Sequence, residues 1–247
     1  MRVHFIGIGG IGLSALARFL NFDGHSVSGS DMKSSSITKE LEKEGIKVSC
    51  PQEAKNISDD LDLVIYSAAV TDENPELIEA RLKQIRTLSR KEALPIILGD
   101  KKNYCVAGAH GKSTTIAILA TILQSSALIG AISKEFGSNF RYVDKTVAFE
   151  ADESDASFLL SNPYCAIVTN AEPEHMEYYH YDYDKFYESY ETFLSLAKKR
   201  VVNGEDKDIQ KLKIEDATYL YPSKDIKNLC YTLKDGQPCT KFDLKDY

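Results

Sequence analysis

The chain lacks a Cys-x-x-Cys pair, an excess of positive charge, an apolar run long enough to cross a bilayer, and any internal repeat or low-complexity segment. Each absence closes off a class. The five cysteines, Cys50, Cys105, Cys165, Cys230 and Cys239, are odd in number and widely spaced. They predict neither a disulfide framework nor a zinc site, and Cys105 and Cys165, inside apolar runs, read as small buried hydrophobes. A formal net charge of −7 argues against a general nucleic-acid binder, which carries a basic face. Phosphate ligands stay open, because a helix N-terminus and one or two lysines set the local field while bulk charge is screened within about 8 Å at physiological salt. No stretch approaches the roughly 20 apolar residues of a membrane span. The opening M-R-V-H-F-I-G-I-G-G is broken by glycine and charge too early for a signal peptide. A cytoplasmic protein without membrane or nucleic-acid partners is expected.

What is present is an α/β pattern. At 247 residues, with 43% hydrophobic and 27% charged, the chain can hold two domains, each burying its own core. Strand-like runs at residues 2–6, 25–29, 46–49, 63–66 and 85–88 alternate with helical stretches at 11–21, 37–44 and 75–83. Gly45 closes the second helix, and Asn74 and Pro75 open the third. Such alternation implies a mostly parallel sheet with helices on both faces. A polar break at Leu98-Gly99-Asp100-Lys101-Lys102 separates a Rossmann-like domain, 1–99, from a second unit, 100–247. There, runs at 104–107, 145–149, 164–169 and 200–203 read as strands and 183–197 as a long amphipathic helix. Beyond Gly204 the signals thin to two strands, 217–221 and 229–233, in a more polar segment.

Two glycine loops carry the chemistry. Val106 to Thr115 reads V-A-G-A-H-G-K-S-T-T: a strand, a glycine turn, Lys-Ser and a helix. Backbone N–H groups and the helix N-terminus form a phosphate cradle. Lys112 adds a mobile charge, and the Ser113 hydroxyl can hold Mg²⁺. Only Ala109 and His110 separate Gly108 from Gly111, so the loop is a shortened P-loop variant. The other loop, Gly7-Ile8-Gly9-Gly10-Ile11-Gly12, follows the first strand and enters the first helix, with Asp31 at the end of the second strand. That is a dinucleotide fingerprint, pyrophosphate on the helix and Asp31 on a ribose. Any diphosphate ligand can use the same turn, and a domain of about 100 residues lacks the half that holds nicotinamide.

Strand ends supply the remaining candidates. Glu150-Ala151-Asp152-Glu153-Ser154-Asp155 follows a buried strand, where a Mg²⁺ ligand belongs beside a phosphate cradle, unless it is a solvated acidic turn. His175 also follows a strand and is a metal ligand, a substrate contact or a surface residue. The stretch Tyr178 to Tyr183 can stack a base, face a partner or fill a core.

Taken in order, the motifs G-I-G-G-I-G, G-S-D (29–31), S-A-A-V (67–70), N-P-E (74–76), G-A-H-G-K-S-T-T, E-A-D-E-S-D-A-S-F (150–158) and V-T-N-x-E-x-x-H (168–175) resemble the Mur ligases of bacterial peptidoglycan synthesis, and within them the branch that adds alanine. The resemblance implies a Rossmann-like UDP-sugar domain followed by a P-loop-type α/β ATPase domain. It places the UDP-sugar on Gly9, Gly10, Ile11, Gly12, Asp31, Ser67 and Ala68. It places ATP on Gly108, Ala109, His110, Gly111, Lys112, Ser113 and Thr114, and metal on Ser113, Glu150 and His175. Lys112, Glu150 and His175 would be the catalytic residues. The implied reaction joins L-alanine to the lactyl carboxylate of UDP-N-acetylmuramate through an acyl phosphate, with ATP and Mg²⁺. A non-catalytic nucleotide-sugar-binding module and an NAD-dependent oxidoreductase are the competing readings.

Three departures from the family pattern stand out. Ala109 replaces a usual Thr, Ser113 a usual Thr, and Glu174 a usual Asp. The family also carries a third, carboxyl-terminal domain. The 247 residues are therefore expected to lack it and to bind ligands without turning over.

Overall fold

The computed structural model describes residues 1–143 and 145–245. The first five apolar runs become β1 (Arg2–Ile6), β2 (Ser26–Ser30), β3 (Lys47–Ser49), β4 (Leu63–Tyr66) and β5 (Arg86–Ser89). They form one parallel sheet in the order β3-β2-β1-β4-β5. The crossovers include α1 (Ile11–Phe22), α2 (Ser36–Lys43) and α3 (Pro75–Leu82). The strand order turns back between β1 and β4, which opens a crevice beyond their carboxyl ends. Gly7 and Ser67 face each other there, and a Cβ on Gly7 would stand 2.9 Å from Ser67 Oγ. The second helix ends at Glu44, with Gly45 next in the left-handed region at φ 87°. Asn74 caps α3 by accepting from the Glu76 and Leu77 amides.

Apart from one four-residue helix near the end of the chain, one helix is absent from the sequence reading: α4 (Arg90–Leu98). A Ser89–Glu92 capping box starts it, and Pro95 sits inside it. Proline in a helix interior argues against the assignment from sequence. In a nine-residue helix Pro95 forfeits one backbone bond, to Lys91, while Ala93, Leu94, Ile97 and Leu98 are buried.

The second sheet contains β6 (Lys102–Ala107), β7 (Ser126–Ser133), β8 (Ser138–Arg141), β9 (Thr146–Glu150), β10 (Cys165–Val168), β11 (Lys199–Asn203) and β12 (Thr218–Leu220). The order is β12-β11-β10-β6-β9-β7-β8, and every pairing is parallel except β7 with β8. β7 and β8 were not anticipated from the sequence. The helices α5 (Lys112–Leu123) and α6 (Tyr183–Ser195) pack on this sheet. A short helix α7 (Pro222–Asp225) leads into the antiparallel hairpin β13 (Ile226–Lys234) and β14 (Gln237–Leu244), which pairs with neither sheet. Its Tyr231 and Leu233 are 76% and 70% exposed.

Each unit keeps a buried cluster of its own, around Val64 and around Ile116, but the largest cluster is shared between them. All eight residues from Leu13 to Leu20 of α1 are buried, too many for a helix that covers one sheet. The helix packs on β2 of its own sheet and on β7 and β8 of the other. Phe19 and Phe22 meet Phe140 and Tyr142 with ring centroids 5.4 to 6.4 Å apart. One continuous core runs from Val3 and Phe5 through Phe19 and Phe140 to Phe158 and Val202. The Arg18 side chain, 3% exposed, is fully engaged within it. It donates to Asn139 Oδ1 (2.6 Å) and Glu44 Oε2 (2.8 Å), while Asn139 Nδ2 donates to the Ile11 carbonyl (2.5 Å).

The packing of the first loop against β2 is equally tight. A Cβ on Gly29 would lie 2.5 Å from Ile8 Cδ1 and 2.7 Å from the Phe5 carbonyl oxygen. Since the backbone cannot yield as a flexible side chain does, Gly29→Ala is expected to cost about 2 kcal/mol or more in urea unfolding. A change below about 0.5 kcal/mol would mean that β1, β2 and the loop are not in this register.

Candidate functional site

Helix capping separates two helices from the rest. Of the six helices with eight or more residues among the described residues, α2, α3, α4 and α6 are capped by the side chains of Ser35, Asn74, Ser89 and Asp182. The other two, α1 and α5, begin at Gly10 and Gly111 with no side-chain cap. Their first-turn N–H groups, at Ile11–Leu13 and Lys112–Thr114, have no helical carbonyl to bond. Both helices therefore present bare amides and the positive end of a dipole, which is what a phosphate group uses.

The second cradle is built at three adjacent strand ends. Parallel pairing of β10, β6 and β9 brings Gly108, Glu150 and Thr169 to one edge. Gly108 is at φ 132° and Gly111 at φ 85°. Both conformations favour glycine, and a Cβ on Gly108 would also stand 2.4 Å from Thr169 Oγ1 and 2.8 Å from the Asn170 carbonyl oxygen. The loop tip is tied down by Asn170, whose Oδ1 accepts from the His110 amide (3.2 Å) and whose Nδ2 donates to the His110 carbonyl (2.8 Å). Thr169 Oγ1 donates to the same carbonyl at 2.7 Å. The His110 imidazole lies 3.4 Å from Glu174 and 3.7 Å from Glu172. Ala109 lies within the turn, and Thr114 in the first turn of α5.

Lys112, the first residue of α5, curls back over the loop. Its Nζ donates to the Gly108 carbonyl (2.6 Å) and to Glu153 Oε1 (2.8 Å). Glu153 is 2% exposed, and its other oxygen, Oε2, has no hydrogen-bond partner among the described residues. Burial pushes the Glu153 carboxyl above the usual carboxylate range, more than the Lys112 hydrogen bond and charge pull it down. The cradle's cation is thus held by an internal carboxylate. The sequence gives no sign of this pairing across 41 residues.

Next to it, Ser113 Oγ donates to Glu150 Oε2 (2.9 Å), and the Gly130 amide donates to the same oxygen (3.0 Å). These oxygen donors suit Mg²⁺, which takes one or two protein ligands and completes its shell with phosphate oxygens and water. Among the described residues no three His, Cys, Asp or Glu gather as an all-protein metal cage. His175 is on the loop after β10, exposed, at φ 52°. Its imidazole makes no hydrogen bond or ion pair with Ser113 or Glu150, so the structure brings two of the three metal candidates together.

The first loop is set differently. Asp31 Oδ2 accepts from the Gly9 amide (2.8 Å), and Asp31 Oδ1 from the Met32 amide (2.7 Å). The carboxylate braces the turn with the oxygens a ribose would seek. A cavity of about 550 Å³ beyond β1 and β4 is lined by Gly7, Gly10, Asp31, Ser67, Asn74 and their neighbours. Ala68 is exposed and is not among the lining residues, although Ser67 and Ala69 on either side of it are. A smaller cavity of about 60 Å³ spans the junction of the sheets, where Gly12 of α1 faces Glu150, Asp152 and Gly130. Arg90, first residue of α4, lines it too. The Tyr-rich stretch divides: Tyr179 is core, packed on Phe186 with its hydroxyl donating to the Glu153 carbonyl (2.6 Å), whereas Tyr178, Tyr181 and Tyr183 are exposed.

Two uncapped glycine turns on a doubly sheeted α/β frame define a protein with two phosphate-binding-type turns, and comparison with known proteins gives its family. The Mur ligase family, catalytic domain, matches residues 2–102, and the chain belongs to the Mur ligase family. It is 57% identical over 246 residues to the UDP-N-acetylmuramate–L-alanine ligase of Campylobacter curvus, covering 99% of this chain and 56% of that protein. Identity to the same-named ligase of Helicobacter pylori is 48% over 247 residues, covering 54% of that protein. The chain thus spans about half the length of these curated relatives. Among solved structures, the UDP-N-acetylmuramate-alanine ligase of Thermotoga maritima superposes with a TM-score of 0.77 at 31% identity, over 89% of this chain and 53% of that one. The UDP-N-acetylmuramate:L-alanyl-γ-D-glutamyl-meso-diaminopimelate ligase of Neisseria meningitides shares the fold, with a TM-score of 0.78 at 23% identity over 99% of this chain and 85% of that one.

The Lys112–Glu153 pair makes a direct prediction. If nucleotide phosphates draw Lys112 away, the native protein leaves a buried carboxylate stranded, and Glu153→Gln leaves only a neutral amide. ATP is then expected to bind Glu153→Gln about fivefold more tightly, on the order of 1 kcal/mol, by calorimetry. Unchanged or weaker binding would show that Lys112 keeps both partners.

Proposed function

We propose that this chain is the UDP-sugar- and ATP-binding part of an amide ligase that joins L-alanine to the lactyl carboxylate of UDP-N-acetylmuramate in peptidoglycan synthesis. Residues 1–99 would seat the UDP-sugar, through Gly9, Gly10, Ile11, Gly12, Asp31, Ser67 and Ala68. Residues 100–247 would seat ATP, through Gly108 to Thr114. The observation that carries the reading is the junction cavity, where the helix of one uncapped glycine turn meets the Glu150 strand end beside the other. A substrate with its diphosphate on the first turn and its carboxylate at Glu150 would lie next to a nucleotide on the second.

The roles follow from chemistry. Lys112, released from Glu153, would neutralise charge on the transferred phosphoryl group. Ser113 and Glu150 would hold Mg²⁺, which supplies Lewis-acid neutralisation of the phosphate oxygens. His175, at the neighbouring strand end, would approach the reacting carboxylate. Carboxylate attack on the γ-phosphorus would give an acyl phosphate and ADP, and the alanine amine would then displace inorganic phosphate. Holding both reactants across one junction replaces a bimolecular encounter by a positioned one. Turnover is assigned to the whole ligase, and ligand binding to the residues described.

The NAD reading shares the first glycine turn and Asp31 with the UDP-sugar reading, so these residues do not separate the two. Calorimetry with UDP-N-acetylmuramate and with NAD(H) decides between them: binding of the first without the second is expected, and micromolar NAD(H) binding would reverse the assignment. Lys112→Ala is expected to weaken ATP about tenfold to a hundredfold while UDP-sugar affinity stays nearly constant. Equal loss of both ligands would refute the split between the two turns. In the whole ligase, Glu150→Gln is expected to raise the Mg²⁺ concentration needed for half-maximal activity, and an unchanged Mg²⁺ dependence would move the ligand to Asp152 or Glu153.

A further inference from the structure

Arg90 occupies the junction without a role in the scheme above. It opens α4, directly after β5, and its guanidinium reaches both halves. On one side, a Cβ placed on Gly12 would stand 3.4 Å from Arg90 Nη1. On the other, Nη2 lies 3.5 Å from Asp152 Oδ2, 3.6 Å from Asp155 Oδ2 and 3.4 Å from Ser157 Oγ. These distances are long for charge-assisted bonds, which close to about 2.7–2.9 Å. The two aspartates hold the cation in place electrostatically, and no tight bidentate bond uses up its planar fork. Arg18, the other arginine near α1, is fully engaged in the shared core. Among the described residues, Arg90 is the only cation lining the small cavity between Gly12 and Glu150.

That cavity is also where the proposed substrate must pass. A UDP-sugar anchored by its diphosphate on the first turn, with a reacting carboxylate directed at Glu150, brings an anion into a space already lined by Glu150 and Asp152. A carboxylate entering there needs a counter-charge, and the guanidinium offers one with matching two-pronged geometry.

We propose that Arg90 is a specificity-determining residue that pairs with the substrate's lactyl carboxylate and so distinguishes a muramate-type UDP-sugar from one lacking that acid. This rests on the UDP-sugar reading of the first turn. Asp152 takes part as a positioning group. Its Oδ2, 3.5 Å from Arg90 Nη2, keeps the guanidinium at the junction.

The test is calorimetric titration of this chain with UDP, UDP-N-acetylglucosamine and UDP-N-acetylmuramate, repeated for Arg90→Gln and Arg90→Lys. The wild type is expected to favour the muramate compound over the glucosamine compound by on the order of tenfold. Arg90→Gln should reduce that preference to less than about twofold, with UDP affinity essentially unchanged, and Arg90→Lys should restore part of it. Equal discrimination by wild type and Arg90→Gln, or none in the wild type, overturns the role of Arg90 while the UDP-sugar site stands. Failure of the wild type to bind any of the three uridine compounds overturns the site itself and the inference with it.

Discussion

The structure depends on the burial of a single helix from both sides. Helix α1 packs on the first sheet with one face and on β7 and β8 with the other, so its side chains are lost to solvent around most of its circumference. Everything functional hangs from this placement. The glycine turn at its N-terminus is aimed at the junction because the helix axis is pinned at both flanks. The Arg18–Asn139 pair, together with the Asn139 bond to the Ile11 carbonyl, ties the start of α1 to β8 by hydrogen bonds that a purely apolar seam would lack. Breaking such a buried charge-assisted network costs far more than the network's net contribution to stability, which fixes the geometry rather than merely strengthening it.

A second constraint is electrostatic. The phosphate end of the second domain places Glu150, Asp152, Glu153 and Asp155 within six residues of chain. Their mutual repulsion is relieved locally and unequally. Lys112 answers Glu153, Arg90 answers Asp152 and Asp155, and Glu150 is bonded, among the described residues, by neutral donors, the Ser113 hydroxyl and the Gly130 amide. The carboxylate without a cation is the one best placed to accept a metal, and the one with a lysine is the one that restrains the cradle. Four like residues in one short segment acquire distinct jobs from their neighbours alone.

Much of this was legible from the chain. Parallel strands announced themselves as short apolar runs ending in glycine or acid, and both glycine turns were readable because strand, turn and helix follow within a dozen residues. The unread parts have specific causes. Helix α4 was hidden by Pro95, whose penalty in a short helix is offset by four buried apolar neighbours. The shared core was foreshadowed by I-G-L-S-A-L-A-R-F-L-N-F, apolar nearly all the way round, which is the mark of a helix with no free face. The pairing of Lys112 with Glu153 and the bridging reach of Arg90 link residues 41 and 62 positions apart, and no local pattern encodes them. His175 marks the limit: its strand end was foreseen, but the imidazole stands exposed and unpaired with the other two candidate ligands.

Because α1 is clamped between two sheets, the spacing between the turns cannot be adjusted by rocking one half of the chain against the other without opening the aromatic seam of Phe19, Phe22, Phe140 and Tyr142. The pair of turns acts as a caliper of fixed jaw width. A molecule gripped at one jaw would present to the other only the atom lying at the set span, so reach along a ligand would become a selection criterion alongside its chemical groups.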